Sequence, residues 1–587
     1  MSRRAAFARW SLASALAVAA LGVTATSVAA APPINPVATV NLRDLAARAR
    51  HAPYRPALRN SPAQVKWRAR EAGREQPAPL AATAGLKPPK VRGLPIVNDE
   101  SRRGFEALGI ADMVFTNGFE VEPPDQGLCG GRFQGTTYLF ESVNLALSLY
   151  DTDSNQYTSA VDLNSFYGLP PAFDPTTERF GPFLSDPKCY FDPDTGHWYH
   201  TILEIAVDPV TGDFGNRSAT LIAASVGRDP FGPYNVYSID ATDPGGTECP
   251  CFGDQPLLGA DANGLFVSTA EYSIAGTAFN GAQIYAMDKR ALAAGGPLNV
   301  VHLRTGTTRT GTVQPATAPN GNYETAQQGT EYFMSSFECV PPDCGLQEGL
   351  LQDRIRVWAV THTSSLRTGS PNLRLLQTDL TSEVYGQPVP QEQRPGPHPL
   401  GQSVGEPVPE VEANDARMNQ VVWAGGRLWS GVNTIVTPGP RDGLAWFSVV
   451  PSVSANTVSA DIRRHGYLAG RNAFLSFPAI GVNDAGRGVV AYSVMGPNRF
   501  PSAGWTRIDR SGAGRAVRIA RAGFRPEDGF TCYTEFVGGD EAVCRWGDYS
   551  ASFALPNGEI WSATEFIGGN SRTTFANWST FIWPVVR

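Results

Sequence analysis

The sequence predicts an all-β chain closed into a β-propeller, and three observations carry that expectation. First, a phrase recurs in which an Asp opens an apolar strand, a Gly turn follows, and a second apolar strand ends in Glu or Asn. It reads Asp186-Pro…Gly196-His-Trp-Tyr-His-Thr-Ile-Leu-Glu204, then Asp254-Gln-Pro…Gly264-Leu-Phe-Val-Ser-Thr-Ala-Glu271. It returns as Asp415…Gly426-Arg-Leu-Trp-Ser-Gly-Val-Asn433 and Asp548…Gly558-Glu-Ile-Trp-Ser-Ala-Thr-Glu565, with looser copies at Tyr332–Glu338 and Pro478–Ser493. Such a strand-turn-strand unit cannot bury its own apolar face and must stack on its copies. Second, the 60 Gly and 47 Pro suit many short strands joined by tight turns. Third, 42% hydrophobic and 10% aromatic residues are enough to fill the spaces between packed sheets.

The elements follow in chain order. Met1 to Arg9 is basic, Ser11 to Val28 is apolar and rich in small residues, and Val28-Ala-Ala30 offers a cleavage site. Residues 1–30 therefore read as a signal peptide, and a secreted protein, extracellular or periplasmic, is expected. Residues 31–110 carry many Arg and Pro without alternation. They read as a flexible segment with a short helix near Leu42–Arg50. The propeller is expected over 124–587, with four-stranded quartets starting near Asp125, Asp186, Asp254, Tyr323, Asp415, Pro478 and Asp548. That predicts seven blades; six or eight also fit. In the Asp254 quartet the strands are Pro256–Asp261, Leu265–Ser273, Ala282–Asp288 and Val300–Leu303. The last quartet lacks a fourth strand, which a strand from the N-terminal side would supply. Gln387 to Pro409 is a Pro-rich insertion. The eight cysteines fit an oxidising compartment, with Cys129–Cys189, Cys249–Cys251, Cys339–Cys344 and Cys532–Cys544 as the expected pairs.

The net charge of −7 disfavours a nucleic-acid partner, and no later segment is apolar enough to span a membrane. Propeller topology places the start of the first strand and the end of the second on one rim. Glu204, Glu271, Glu338 and Glu565 are then the candidate catalytic acids, joined by His200, which shares a strand side with Glu204. Asn144 and Asn433 hold the Glu position in two other quartets. With Arg179 and Arg417 they are the candidate substrate-binding groups. Asp186, Asp254, Asp415 and Asp548 offer hard oxygens, for which calcium is the natural ion. A plainer reading is open at each place. The recurring Asp makes Asx-turns, His200 is a hydrogen-bonded core residue, the arginines form scaffold ion pairs, and Trp198, Trp429 and Trp561 pack the blades.

The stretches Ser185-Asp-Pro…Phe191-Asp-Pro-Asp-Thr-Gly-His-Trp, Gly253-Asp-Gln-Pro-Leu-Leu-Gly-Ala-Asp-Ala-Asn-Gly264 and Arg545-Trp-Gly-Asp-Tyr-Ser550 resemble the sialidase-like class of secreted bacterial propellers. The resemblance covers most of the chain after residue 124 and implies the fold. The sialidase Asp-box survives only as Val482-Asn-Asp-Ala-Gly-Arg-Gly-Val489, without its Ser and Trp, and the arginine triad is not found. Two functions are expected to compete. One is a protein that engages an extracellular glycan or cell-surface component on its acidic face, as a glycoside hydrolase or polysaccharide lyase. The other is a non-catalytic adhesion or binding scaffold stabilised by calcium. A monomer is expected in either case.

Overall fold

The computed structural model describes all residues except 1–31, 50–51, 53–54, 56–84, 155, 244, 247, 277, 307–309, 311, 338–350, 538–541, 543, 570–576 and 586–587. The expected signal peptide, Glu338 and the Cys339–Cys344 pair lie outside the described residues.

The chain folds into antiparallel sheets set side by side in sequence order, a β-propeller. The innermost strands are Gly127–Phe133, Phe183–Asp192, Cys251–Ala260, Gln314–Thr317, Val421–Ala424, Phe474–Val482 and Ala551–Ala554. Each touches the next in chain order, and Ala551–Ala554 touches Gly127–Phe133, so the ring closes. Gln314–Thr317 and Val421–Ala424 pair in parallel and fuse two antiparallel sets into one eight-stranded sheet.

Apolar faces of consecutive sheets form the core. Tyr199, Ile222 and Tyr237 pack on Leu258, Leu265 and Tyr285 of the following sheet. At the closure Leu128, Leu139 and Tyr150 of the first sheet pack on Trp561 and Ile582 of the last. Trp198, Trp429 and Trp561 are all buried, as blade-packing residues would be. Burying about 25 cal/mol per Å² of apolar surface drives this stacking, because one sheet alone would leave a face in water.

The strands of the Asp254 sheet are Cys251–Ala260, Gly264–Ser273, Phe279–Asp288 and Val300–Arg304, close to those the sequence predicts. The fourth set differs: its inner strand is Gln314–Thr317 and not a strand near Tyr323. The Asp phrase differs too. Asp186 and Asp254 do not open their strands but sit within them at β-bulges. Asp186, Gln255 and Phe477 each adopt positive φ (60°, 50° and 55°) immediately before a Pro, in matching bulges. A bulge leaves a residue unpaired, so a Pro without an N–H costs no ladder bond there. Aligned on these bulges, Asp186 matches Gln255 and Phe477, and Asp254 matches Ser185 and Ser476. The two Asp copies are therefore one residue apart in register.

The segment expected to be flexible contributes strands. Ala38–Asn41 adds to Pro233–Asp240, Ile96–Asn98 pairs in parallel with Val517–Arg521, and Phe105–Gly109 pairs with Trp578–Val585. The last supplies the outer strand that the final sheet lacks. These edges explain the difference: an unpaired outer strand offers a row of N–H and C=O groups that even a Pro-rich segment can satisfy. The expected helix spans Leu42–Arg48. The Pro-rich insertion carries a helix, Pro399–Val404, whose Leu400 and Gly401 amides donate to Asp528 (3.1 and 2.9 Å). Among the described residues, no helix is long and apolar enough to cross a membrane. Disulfides join Cys129–Cys189, Cys249–Cys251 and Cys532–Cys544.

Candidate functional site

Polar residues on and just before the inner strands form one cluster. Asp125 and Asp186 are pushed up by neighbouring carboxylates, Asp548 acting on both and Asp254 on Asp186, with Lys188 and Tyr549 beside them. Lys188 Nζ lies over the Tyr549 ring, 2.8 Å from its centroid. Burial raises Asp125 to about 7; Asp548 adds to this, while the Asp548 amide, Arg545 and Asn144 oppose it. Burial also raises Asp186 well above the carboxylate range, helped by Asp125, Asp254 and Asp548 and opposed by Lys188. Burial lowers Lys188 to about 7 against the pull of the same acids. Near neutral pH Asp125, Asp186 and Lys188 share protons instead of holding full charges.

Most members are held by the scaffold. Asn144 donates to Pro123 O (2.9 Å) and Asp125 Oδ2 (2.5 Å), and it accepts from the Asp186 amide (3.0 Å). Asn433 repeats the device: it donates to Ala413 O (2.9 Å) and accepts from the Phe477 amide (2.9 Å). Each Asn thus ties one sheet to the strained bulge of the next. Asp125 Oδ1 accepts the Asp548 amide (2.9 Å), and Arg545 lies 3.4 Å from Asp548 Oδ1. Arg417 forks onto Asp415 (2.7 and 2.5 Å). The oxygens of Asp186, Asp254, Asp415 and Asp548 do not gather in threes within 4.8 Å. Among the described residues only Cys249, Cys251, Glu271 and Glu527, Cys532, Cys544 do so. The calcium cage expected of the four Asp is therefore not formed, and the Arg417 fork already fills the Asp415 carboxylate.

The candidate glutamates among the described residues, Glu204, Glu271 and Glu565, each answer to different neighbours. Glu565, 2% exposed, accepts the Gly547 amide (2.6 Å). Burial raises it well above its range, with Glu527, Glu122 and Asp125 adding to the effect. Glu204 is raised by burial and drawn back by Arg217. Glu271 is raised to about 9 by burial and by Asp243, against Arg304. His200 is 1% exposed and packed among Phe140, Phe166 and Tyr167, and it shares a 2.6 Å hydrogen bond with the Tyr167 hydroxyl. Burial alone lowers it to about 3. It is a neutral core histidine that Glu204 does not perturb, so the expected base-and-partner pair is absent. Arg179 is exposed on a two-residue strand, away from the axial groups that Arg417 joins.

Glu141 was not predicted. It is fully buried and accepts from Leu108 N, Gln126 Nε2, Tyr150 Oη and Thr580 Oγ1 at 2.6–3.1 Å. Four donors make it a structural tie between the first sheet and the strands that close the ring.

The open concavity lies beside that tie. A cavity of about 550 Å³ sits between Phe105–Gly109 and the outer edge of the first sheet. Its walls include Phe105, Tyr150, Tyr157, Trp561, Asp112 and Asp151. Tyr157 is 73% exposed, its ring 6.3 Å from Tyr150, which is 5.0 Å from Phe105. Arg103 caps the Trp561 ring at 5.6 Å and pairs with Glu559. Burial raises Asp112, with Glu106 adding to it, against the amides of Gly109 and Asp112. Slight burial raises Asp151, but the Ser154 and Asp153 amides outweigh it and hold the carboxyl below its ordinary range. Two available signals for this site were the alternation in Phe105-Glu-Ala-Leu-Gly109 and the Gly109-x-x-Asp112 spacing of a capping box.

No protein-family model and no curated protein matches the chain. Among solved structures, a polysaccharide lyase of family PL25, an ulvan lyase, aligns at 10% identity and TM-score 0.29 over 75% of this chain and 92% of its own. An exo-β-1,3-galactanase from Clostridium thermocellum aligns at 10% and 0.28, over 84% and 99%. The phage phi92 endosialidase aligns at 8% and 0.32, over 79% and 67%. At these values the likeness decides nothing about activity, and the fold stands on the strand topology.

Proposed function

We propose that this chain is an exported, monomeric seven-bladed propeller that binds an extracellular glycan in the cavity beside Phe105–Gly109. The observation that carries the reading is that open cavity of about 550 Å³, walled by aromatic rings and by carboxylates and arginines. Small-ligand sites commonly enclose about 300–1,000 Å³ with a few convergent polar groups on an apolar wall. Tyr rings offer a rigid face to a sugar ring and a polar tip to its hydroxyls. Two of the predicted acids serve this reading poorly, because Glu565 is buried on the Gly547 amide and Asp415 is buried under the Arg417 fork. Disulfides among the described residues support export.

The test is a glycan array followed by titration of the responding glycan. Tyr157→Ala should weaken binding by about 3- to 10-fold, the equivalent of about 0.5–1.5 kcal/mol of ring contact. Unchanged affinity would remove the cavity from the reading.

A second reading, hydrolysis or elimination at the same cavity, rests on Asp112 and Asp151, whose environments shift them in opposite directions. Paired acids with separated pKa values divide acid and base roles. Turnover of the bound glycan that Asp112→Asn abolishes would favour it over binding alone.

A further inference from the structure

One cluster outside both sites joins a disulfide to a buried acid. Cys249 and Cys251 are bonded to each other across a single Pro. Cys249 is half-buried at the end of a loop, while Cys251 is fully buried at the start of its strand. Cys249 is thus the more open end of the bond. Asn280 Nδ2 points at both, 3.3 Å from Cys251 Sγ and 3.7 Å from Cys249 Sγ. Glu271 Oε1 lies 3.7 Å from Cys249 Sγ. Gly246 lets the loop close on this group: a Cβ there would stand 2.6 Å from Cys249 Sγ and 3.0 Å from Glu271 Oε1.

A two-residue separation closes almost no loop, so this bond restrains the unfolded chain least of the three described. Its surroundings suit exchange better than stapling. Thiolate leaving groups depart more readily where a donor stabilises them, and Asn280 is placed to do so for Cys251.

We propose that Cys249–Cys251 is a thiol–disulfide exchange site that takes a dithiol, small or protein-borne, as its reductant. A thiolate of the dithiol attacks Cys249 Sγ. The new S–S bond forms there, the Cys249–Cys251 bond breaks, and the electron pair leaves on Cys251 Sγ, toward which Asn280 Nδ2 donates. The dithiol's second thiolate then attacks its own sulfur in the mixed disulfide. The pair now leaves on Cys249 Sγ, which takes the proton of the Glu271 carboxyl; solvent reprotonates Glu271 and protonates Cys251. Two electrons pass from the dithiol, which leaves as a disulfide, and the protein is left with two thiols.

Glu271 is protonated at neutral pH because burial and Asp243 hold it at about 9. The charged and titratable groups facing it are Asp243, Arg304 and Tyr285, with His302 stacked on Tyr285 at 4.8 Å.

The experiment exposes the full chain to dithiothreitol, quenches with an alkylating reagent over time, and maps the cysteines by mass spectrometry. Cys249 and Cys251 should be alkylated at least 10-fold faster than Cys129, Cys189, Cys532 and Cys544. A rate no faster than the other two pairs would overturn the proposal. Cys251→Ser leaves Cys249 as a thiol that should form a mixed disulfide with added glutathione disulfide, releasing one glutathione, and failure to form it would also count against the proposal. Glu271→Gln should slow exchange of Cys249–Cys251 several-fold at neutral pH while leaving the rate at Cys532 and Cys544 unchanged. If the rate at Cys249–Cys251 were unchanged, Glu271 would have no part in the step.

Discussion

Replacing Asn144 by Ala tests the tie between the first sheet and the bulge of the second. The side chain serves Pro123 O, Asp125 Oδ2 and the Asp186 amide, all buried. Removing it strands a buried N–H, which costs about 1–3 kcal/mol, and removes a hydrogen bond to a carboxyl that contributes a further ~1.5–3 kcal/mol when charged. The sum is about 2.5–6 kcal/mol. Unfolding entropy of about 2.1 cal/mol/K per residue gives about 1.2 kcal/mol/K for 587 residues, so Tm should fall by about 2–5 °C. Calorimetry measures it directly. Asn433→Ala is the internal comparison, because it has the same two backbone contacts without the carboxyl, and it should cost less. The two sites share no hydrogen-bond partner, so the double variant should be additive. A fall below about 1 °C for Asn144→Ala, or a larger fall for Asn433→Ala, would refute the reasoning.

Other expectations follow from the same structure. His200 is held near 3 when folded against an ordinary 6.5, so between these values the unfolded chain binds a proton that the folded chain does not. Stability should fall on acidification from pH 6.5 to 3, by on the order of 5 kcal/mol in total, and His200→Gln should flatten that window in urea titrations at stepped pH. A parallel pH profile for the variant would contradict the assignment. Cys129–Cys189 closes a loop of 60 residues between the first two inner strands. Its loss as the double Ala variant should cost about 4 kcal/mol by chemical denaturation, and a cost under about 1 kcal/mol would show that this staple is idle. Deleting residues 1–110 bares the edge of Trp578–Val585 and removes the Leu108 donor to Glu141. Light scattering should show association of the truncated chain, whereas a stable monomer would mean that the edge is protected otherwise. A chelator should leave Tm unchanged, since Asp415 is held by Arg417 and Asp125 by the Asp548 amide, and no three of the expected Asp ligands gather; a clear fall would reveal a bound ion.

How much of this was legible in the sequence differs by element. Period-2 apolar strands between Gly turns specify sheets whose faces must be covered, so the repeated antiparallel units and their buried tryptophans could be read from the chain. Three cysteine pairs could also be read, because loop neighbours and equivalent repeat positions come together whenever the repeats stack. Side-chain environment was not legible, because it depends on residues far apart in the chain. Asp186 and Asp254 look like one repeated acid, yet a bulge before each Pro shifts them one place apart, and only the ring brings both to Asp125, Asp548 and Lys188. His200 and Glu204 share a strand side, but Phe140, Phe166 and Tyr167 fill the space around the imidazole. Phe105–Gly109 carries too weak a local signal to declare itself a strand until the edge of Trp578–Val585 stands open beside it. The sequence by itself determined a closed stack of β units with its cysteine pairs. The tertiary structure decided which acids are scaffold, which disulfide faces Asn280 and Glu271, and where the open cavity lies, because burial and electrostatics follow from proximity in space and not from order along the chain.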